Sequence, residues 1–168
     1  WVSLSPNRIS DGKEPVSLIT LEDTRFLHCN IKTLNLIPSV IASQKAKDAG
    51  ADEAVLYRPG ELVTECAHSN VHILKDGVLK THPADNLILG GIARAHLLRA
   101  CAALSVPTDE TAFTLSELFD ADEVIVTSSS NLCIRAEKID GKPVGGKAPE
   151  LFERLRSYLI DEFLTETA

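Results

Sequence analysis

An Asp-Gly pair between two short apolar segments is the strongest single constraint on how this chain can fold. Segments 70–75 and 78–81 are rich in residues that favour strands, and Asp76-Gly77 leaves only two residues to join them. A two-residue Asp-Gly turn adopts the positive φ angles that connect neighbouring antiparallel strands. The sequence therefore predicts a β-hairpin at this point.

Alternating or β-branched apolar residues predict further strands along the chain. Turn residues at Pro59-Gly60 and Asp140-Gly141 separate some of these segments from their neighbours. The predicted strands cover residues 16–20, 25–32, 52–58, 62–66, 123–126 and 132–139.

Three longer segments carry apolar residues at helical spacing. They predict helices over residues 36–49, 92–104 and 149–164. The run Thr114-Leu115-Ser116-Glu117 has the sequence of a capping box and predicts a further, short helix. Hairpins interleaved with helices give a mixed fold class, between α/β and α+β.

Composition narrows the class of protein. The 168 residues suit one domain, or one domain with a small appendage. Lys and Arg number 17 against 24 Asp and Glu, so the net charge is −7 and a global basic footprint for nucleic acid is absent. No apolar run approaches the ~20 residues of a membrane-spanning helix. The four cysteines form no Cys-x-x-Cys pair, which indicates reduced thiols in a cytoplasmic protein.

Lys32 is the first candidate for chemistry. It ends the predicted strand over 25–32 and precedes an apolar helix, where packing could remove water from its ammonium group. Desolvation lowers the pKa of a lysine and frees the amine to attack an aldehyde. The alternative is a surface lysine whose alkyl stem covers apolar neighbours while its charge stays in water.

Two loops contain the residue types that hold an anion. Gly90-Gly91 precedes a predicted helix, so backbone N–H groups and the helix dipole could converge on a phosphate. Thr127-Ser128-Ser129-Ser130 follows a predicted buried strand and offers consecutive hydroxyl and N–H groups. The alternative is a tight turn in the first case and a polar turn in the second.

An acid and two histidines complete the candidates. Glu65 ends an apolar strand, where a buried carboxylate would need a partner such as a protonated pyridine nitrogen; an exposed acid at the strand end is the alternative. His68 and His72 are four residues apart, but on a strand that spacing spans about 13 Å. Because the pair cannot share one ion, we expect no metal site.

Taken in order, these features resemble the class IV aminotransferases, the pyridoxal-phosphate enzymes of fold type IV, and most closely the D-amino-acid aminotransferases. The resemblance extends from about Val16 to the final helix. It implies a cofactor-binding C-terminal domain, built as a β-rich pseudo-barrel with packed helices. The matching segments are Arg25, Cys29–Asn35, Glu53–Leu56, Val63–Glu65, Ser69–Val71, Lys75–Leu79, Thr81–Leu89, Gly91-Ile92 and Ile139–Gly141.

The resemblance implies pyridoxal 5'-phosphate as the cofactor and roles for individual residues. Lys32 matches the lysine that forms the internal aldimine and then moves a proton between the substrate α-carbon and the cofactor. Glu65 matches the acid that pairs with the pyridine nitrogen and so keeps the ring an electron sink. The other implied cofactor contacts are Ser69, Leu89, Gly91, Ile92, Ala93, Ser128 and Ser129.

Some positions depart from the family pattern. Ala93 stands where a threonine is usual, so one hydroxyl toward the phosphate is lost while the backbone N–H remains. Ala67 and His68 replace small hydroxyl residues, and Arg135 stands in place of a proline. We still expect the cofactor to bind, but these departures leave the preferred substrate open.

The resemblance also implies a domain organisation. Residues 1–15 are expected to form a loop or interdomain linker, and residues 16–168 the cofactor-binding domain. The family's N-terminal domain does not occur in this sequence, which contains no methionine and begins with Trp1. We expect this polypeptide to be inactive or nearly so by itself, to need that N-terminal domain, and to work in a homodimer.

The implied reaction moves an amino group from a D-amino acid, such as D-alanine, to a 2-oxo acid, such as 2-oxoglutarate. Two activities of the same fold stay open, a branched-chain aminotransferase and an aminodeoxychorismate lyase, although the run Ile31–Asn35 favours the D-amino-acid branch. A non-catalytic remnant that binds only cofactor or a partner is the alternative of another class. Retention of both Lys32 and Glu65 argues against a remnant, because an unpaired buried lysine is costly.

Overall fold

A computed structural model describes residues 2–3 and 12–167 of the chain, so the predicted linker over 1–15 lies largely outside the described residues. The described residues form nine strands and four helices. In chain order they are β1 (Val16–Glu22), α1 (Ile37–Asp48), β2 (Glu53–Arg58), β3 (Leu62–Cys66), β4 (Asn70–Lys75), β5 (Val78–Thr81), α2 (Ile92–Ala103), β6 (Thr108–Asp109), α3 (Leu115–Asp120), β7 (Glu123–Thr127), β8 (Ile134–Ile139), β9 (Lys142–Pro143) and α4 (Pro149–Glu166).

The strands form one mixed sheet. Eight of them follow the order β3-β2-β1-β8-β7-β4-β5-β6, and β9 pairs with β8. β1 runs parallel to both β2 and β8, and β5 runs parallel to β6. The remaining pairs are antiparallel, including the predicted β4–β5 hairpin, in which Asp76 and Gly77 have φ angles of 50° and 77°.

A short connection shows that this sheet curls. Residues 67–69 alone join β3 to β4, although five strand spacings separate the two in the sheet order. At about 4.8 Å per spacing, a flat sheet would hold them about 24 Å apart, whereas the connection reaches about 14 Å at most. The expected pseudo-barrel with packed helices is confirmed as a strand-rich half-barrel, and its curl brings the ends of β3, β4 and β7 together.

The central strands are buried on both faces because helices cover the outer one. Ile73 of β4 joins a core cluster with Phe113, whereas its neighbour Leu74 packs with Leu97 of α2 and Leu155 of α4. Adjacent residues of a strand point to opposite faces, so this split follows from the pleat. No helix among the described residues is long and apolar enough to cross a membrane.

The predicted strand over 25–32 is wrong, and this segment is a loop of turns and bends. Its backbone groups find partners outside the sheet: the N–H of Cys29 donates to the carbonyl of Asn86, and that of Ile31 to His28. Both sides of the preceding strand β1 are already occupied, by β2 and β8. The other predicted helices and strands are confirmed with small shifts at their ends, and the two-residue strands β6 and β9 were not predicted.

Candidate active site

A cavity of about 610 Å³ opens where the curled sheet brings β3, β4 and β7 together. Several separate segments of the chain contribute to its wall. All the residues predicted as cofactor contacts line it: Lys32, Glu65, Ser69, Leu89, Gly91, Ile92, Ala93, Ser128 and Ser129. The fold therefore gathers them in one place, while their individual roles stay predictions.

Glu65 is buried near the end of β3 and accepts three hydrogen bonds. Its Oε1 accepts from Arg25 over 2.5 Å and from the backbone N–H of Leu89 over 3.1 Å. Its Oε2 accepts from the Asn70 amide over 3.0 Å. Burial raises the pKa of Glu65 to about 7, and the guanidinium of Arg25 opposes that shift. The expected buried carboxylate is present, and it already has a cationic partner.

Arg25 belongs to a buried polar cluster that sequence reasoning missed. Its Nη2 donates to Asp23 over 2.9 Å, and Asp23 also accepts from Arg58 over 3.2 Å and from the Thr64 hydroxyl over 3.0 Å. Burial raises the pKa of Asp23, but the hydrogen bonds and charge of Arg25 outweigh burial and the net shift is downward. The cluster fixes Arg25 against Glu65. An alternation of charged residues at 23 and 25 beside a strand was the available signal.

Lys32 lies on the loop between β1 and α1 and lines the cavity. It is exposed, so the expectation that packing desolvates its ammonium group is not met by this chain. The physical reason is that the segment is a loop at the cavity rim instead of the end of a packed strand. The lysine is free to reach into the cavity with its flexible side chain.

The start of α2 forms another part of the wall. Gly91 is its N-cap residue, and no side chain of the described residues caps the helix. The first backbone N–H groups of a helix have no partners within the helix, so here they are left for another acceptor. A methyl group on Gly91 would stand 2.3 Å from Oδ1 of Asn70, which shows how closely the backbone approaches β4. Ile92 and Ala93 follow directly and line the cavity. This is the geometry in which a helix holds an anion.

The loop after β7 faces the same cavity. Thr127, Ser128 and Ser129 line it, and the Ser128 hydroxyl lies 3.2 Å from that of Ser130. Behind the loop, the fully buried ring of His72 lies 2.9 Å from the Thr127 hydroxyl. Hydroxyl and backbone donors therefore face the cavity from this side as well as from α2.

Two predicted side chains have partners within the fold. The hydroxyl of Ser69 donates to Oε2 of Glu53 over 2.6 Å, so its hydrogen is directed away from the cavity. Both ring nitrogens of His72 contact threonine hydroxyls, those of Thr81 and Thr127. No group of three or more potential metal-ligating side chains lies together in the part of the chain that the structure describes.

Comparison with known proteins identifies the family. The family described as "Amino-transferase class IV" matches residues 2–139. The chain belongs to this family. Its relatives include the D-alanine aminotransferase of Listeria monocytogenes serotype 4b (strain F2365), 45% identical over 88% of this chain and 51% of that protein. The D-alanine aminotransferase of Bacillus licheniformis is 44% identical over 91% of this chain and 54% of that protein.

Solved structures share the class IV aminotransferase fold. A fold IV-transaminase from Curtobacterium pusillum superposes with a TM-score of 0.80 at 24% identity, over 90% of this chain and 54% of that one. A branched-chain amino acid aminotransferase complexed with N-(5'-phosphopyridoxyl)-L-glutamate, from the organism abbreviated T.th., gives 0.75 at 28% identity, over 86% and 51%. A Legionella pneumophila protein described as a 4-amino-4-deoxychorismate lyase gives 0.78 at 26%, over 89% and 56%. The chain thus spans about half the length of the curated relatives it matches.

Proposed function

We propose that this chain supplies the cofactor-binding part of a pyridoxal-phosphate-dependent aminotransferase acting on a D-amino acid, such as D-alanine, and a 2-oxo acid, such as 2-oxoglutarate. The observation that carries the proposal is the single cavity lined by Lys32, the buried Glu65 and the uncapped start of α2. An amine, an acid and an anion site are the three groups that such a cofactor requires.

The hydrogen bonds of Glu65 support the fit of the cofactor. A carboxylate has about four acceptor positions, two on each oxygen. Arg25 and Leu89 occupy those of Oε1, whereas, among the described residues, Oε2 accepts only from Asn70. One position on Oε2 is left for a protonated ring nitrogen.

The backbone N–H groups of Ile92 and Ala93, with Ser128 and Ser129 opposite, would hold the phosphate.

Each residue then has one task. Pyridoxal phosphate, when bound, supplies the electron sink for the bond that breaks at the substrate α-carbon. Lys32 supplies the amine that anchors the cofactor, and its Nζ takes up and returns the proton of the α-carbon. Glu65 would hold the ring nitrogen, and Leu89 would pack against the ring. Arg25 keeps the carboxylate of Glu65 oriented.

Sequence similarity favours a D-amino acid over the substrates of the two sister activities. The relatives at 44–45% identity are D-alanine aminotransferases. The branched-chain aminotransferase and the lyase are 28% and 26% identical. These two, and a non-catalytic remnant, are the outcomes that a product analysis has to separate from the proposed reaction.

The surface of the chain supports two partners, an N-terminal domain and a second copy of the protein. Ile37, Val40 and Ile41 on α1 are 71%, 62% and 52% exposed, and Leu34 in the preceding loop is 95% exposed. Apolar side chains gathered on one helix mark an interaction surface. The four buried free cysteines are in keeping with a reducing compartment, and we propose the cytoplasm.

The test uses the full-length protein and its Lys32→Ala variant, with Lys45→Ala on α1 as a matched control. The protein and the control are expected to give an absorbance band with pyridoxal phosphate and, after borohydride reduction, a pyridoxyl group on Lys32 by peptide mass mapping. D-Alanine and 2-oxoglutarate should then yield D-glutamate. L-Glutamate as the product would overturn the D-specific assignment, and a missing adduct would favour the remnant.

A further inference from the structure

We propose that His68 is a specificity residue that binds the second carboxylate of a dicarboxylic substrate. The proposal rests on the proposed function, because that function places the substrate in the cavity. His68 lies in the connection between β3 and β4 and lines the same cavity as Ser69 and Glu65. It therefore lies in the proposed active-site cavity, although the proposed function gives it no role in the reaction.

Glu53 holds His68 in place from behind. The backbone N–H of His68 donates to Oε1 of Glu53 over 2.8 Å, and the ring Nδ1 contacts the same oxygen. The Ser69 hydroxyl binds the other oxygen, Oε2. Glu53 is buried at the start of β2, so a strand of the sheet fixes both the connection and the orientation of the imidazole.

This contact also decides which ring nitrogen faces outward. A carboxylate only accepts hydrogen bonds, so Nδ1 carries a hydrogen and Nε2 is the atom directed away from Glu53. The hydrogen bond to Glu53 raises the pKa of His68, while partial burial and the charge of Lys47 on α1 oppose that shift. The His68 side chain is 66% exposed, and none of the described residues hydrogen-bonds to its Nε2.

Among the charged side chains that line the cavity, the proposed function leaves His68 to meet an anion other than the phosphate. Arg25 is already paired with Glu65, and the proposed function assigns Lys32 to the chemistry. Protonated His68 presents an Nε2–H donor, and a carboxylate is the strongest acceptor that a small substrate can offer it. We therefore expect the site to favour 2-oxoglutarate, which has two carboxylates, over pyruvate, which has one.

The first experiment compares two 2-oxo acids in the full-length protein converted to its pyridoxamine phosphate form. Single-turnover rates with 2-oxoglutarate and with pyruvate are measured for the wild type and His68→Gln. His28→Gln is the matched control, since His28 is exposed and lies outside the cavity. His68→Gln should lower the second-order rate constant for 2-oxoglutarate about 10-fold and that for pyruvate less than about 2-fold. Equal losses for both acids, or none, would overturn the proposal.

The second experiment reads binding without turnover. The full-length protein with pyridoxal phosphate is titrated with glutarate and with butyrate while the ring signals of His68 are followed by NMR, with His68→Gln as the assignment control. Glutarate should shift these signals and butyrate should not. A response to glutarate in a protein without transaminase activity would refute the proposed function and keep the anion site. Transamination without a response to glutarate would refute the anion site alone.

Discussion

The guanidinium of Arg25 contacts the carboxylate of Glu65 over 2.5 Å while its other nitrogens bind Asp23. This relationship joins the loop that carries Lys32 to the strand that carries Glu65. Both partners are buried, since the side chain of Arg25 is 10% exposed and that of Glu65 is 6% exposed.

Replacing Arg25 by leucine should therefore be costly. Both Glu65 and Asp23 would lose a cationic partner in a buried setting, and breaking a buried pair from one side costs about 3–5 kcal/mol. The measurement is the free energy of unfolding from urea denaturation. Arg99→Leu is the control, because the Arg99–Glu162 pair lies at the surface and should contribute no more than about 1 kcal/mol. Similar losses for both variants would contradict the buried-pair interpretation.

Gly91→Ala should disturb the site, whereas Gly90→Ala should not. The new methyl group on residue 91 would meet Oδ1 of Asn70 at 2.3 Å, so Asn70 would have to move away from Glu65. At residue 90 the nearest atom is the Cβ of Ala84 at 3.8 Å, an ordinary contact. We expect Gly91→Ala to lower stability by about 1–3 kcal/mol and to weaken pyridoxal phosphate binding.

Thermal unfolding and a fluorescence titration with the cofactor would measure both effects for the two glycine variants. If Gly91→Ala is as stable as Gly90→Ala and binds the cofactor as tightly, the close approach between α2 and β4 relaxes without consequence.

His72 should make the protein sensitive to acid. Burial lowers the pKa of its imidazole from 6.5 to about 3, with a further lowering from Arg94. Between these two values the unfolded chain binds a proton that the folded chain excludes, so stability falls as the pH drops below about 6.5. At pH 5.5 the loss from this one group should be about 1.4 kcal/mol.

His72→Phe should remove that part of the acid sensitivity, because phenylalanine does not titrate. The measurement is the difference in the free energy of unfolding between pH 7.5 and pH 5.5 for the variant and the wild type. A pH dependence that is the same in both proteins would place the acid-sensitive group elsewhere.

A charge on the exposed face of α1 should weaken association of the full-length protein. Val40→Lys places an ammonium group in the apolar surface, whereas Gln44→Lys, one turn along, changes a residue that already hydrogen-bonds Asp48. We expect Val40→Lys to raise the dissociation constant of the proposed homodimer about 10-fold, and Gln44→Lys to leave it near the wild-type value. Sedimentation velocity over a concentration series distinguishes the two, and equal effects would remove α1 from the interface.

The comparison of residues 25–32 with the β4–β5 hairpin shows how far local pattern reaches. Asp76-Gly77 specifies its own turn, because the positive φ angles are a property of those two residues. The capping box at Thr114 is equally local, and both of its hydrogen bonds are present. The alternation over 25–32 is equally typical of a strand. A strand, however, also needs a neighbouring strand to pair with its backbone, and the segment alone does not show whether one is available.

The residues predicted as a site do line one cavity, but the contacts between them could not be predicted. Lys32, Glu65 and the two loops were identified because each belongs to a recognisable segment. The contacts that define their states come from residues distant in sequence: Glu65 meets Arg25 across 40 positions, and Ser69 meets Glu53 across 16. Such pairs depend on how strands are ordered and curled.

Apolar period, capping residues and the φ preferences of a few residues specify the helices, most of the strands and the hairpin turn. The closure of the curled sheet by β3 and β4, the pairing of Arg25 with Glu65 and the position of Glu53 behind His68 depend instead on how the whole chain folds. The physical reason is that burial and ion pairing depend on which residues lie next to each other in space. The fold brings together residues that are distant in sequence, and no local pattern connects them.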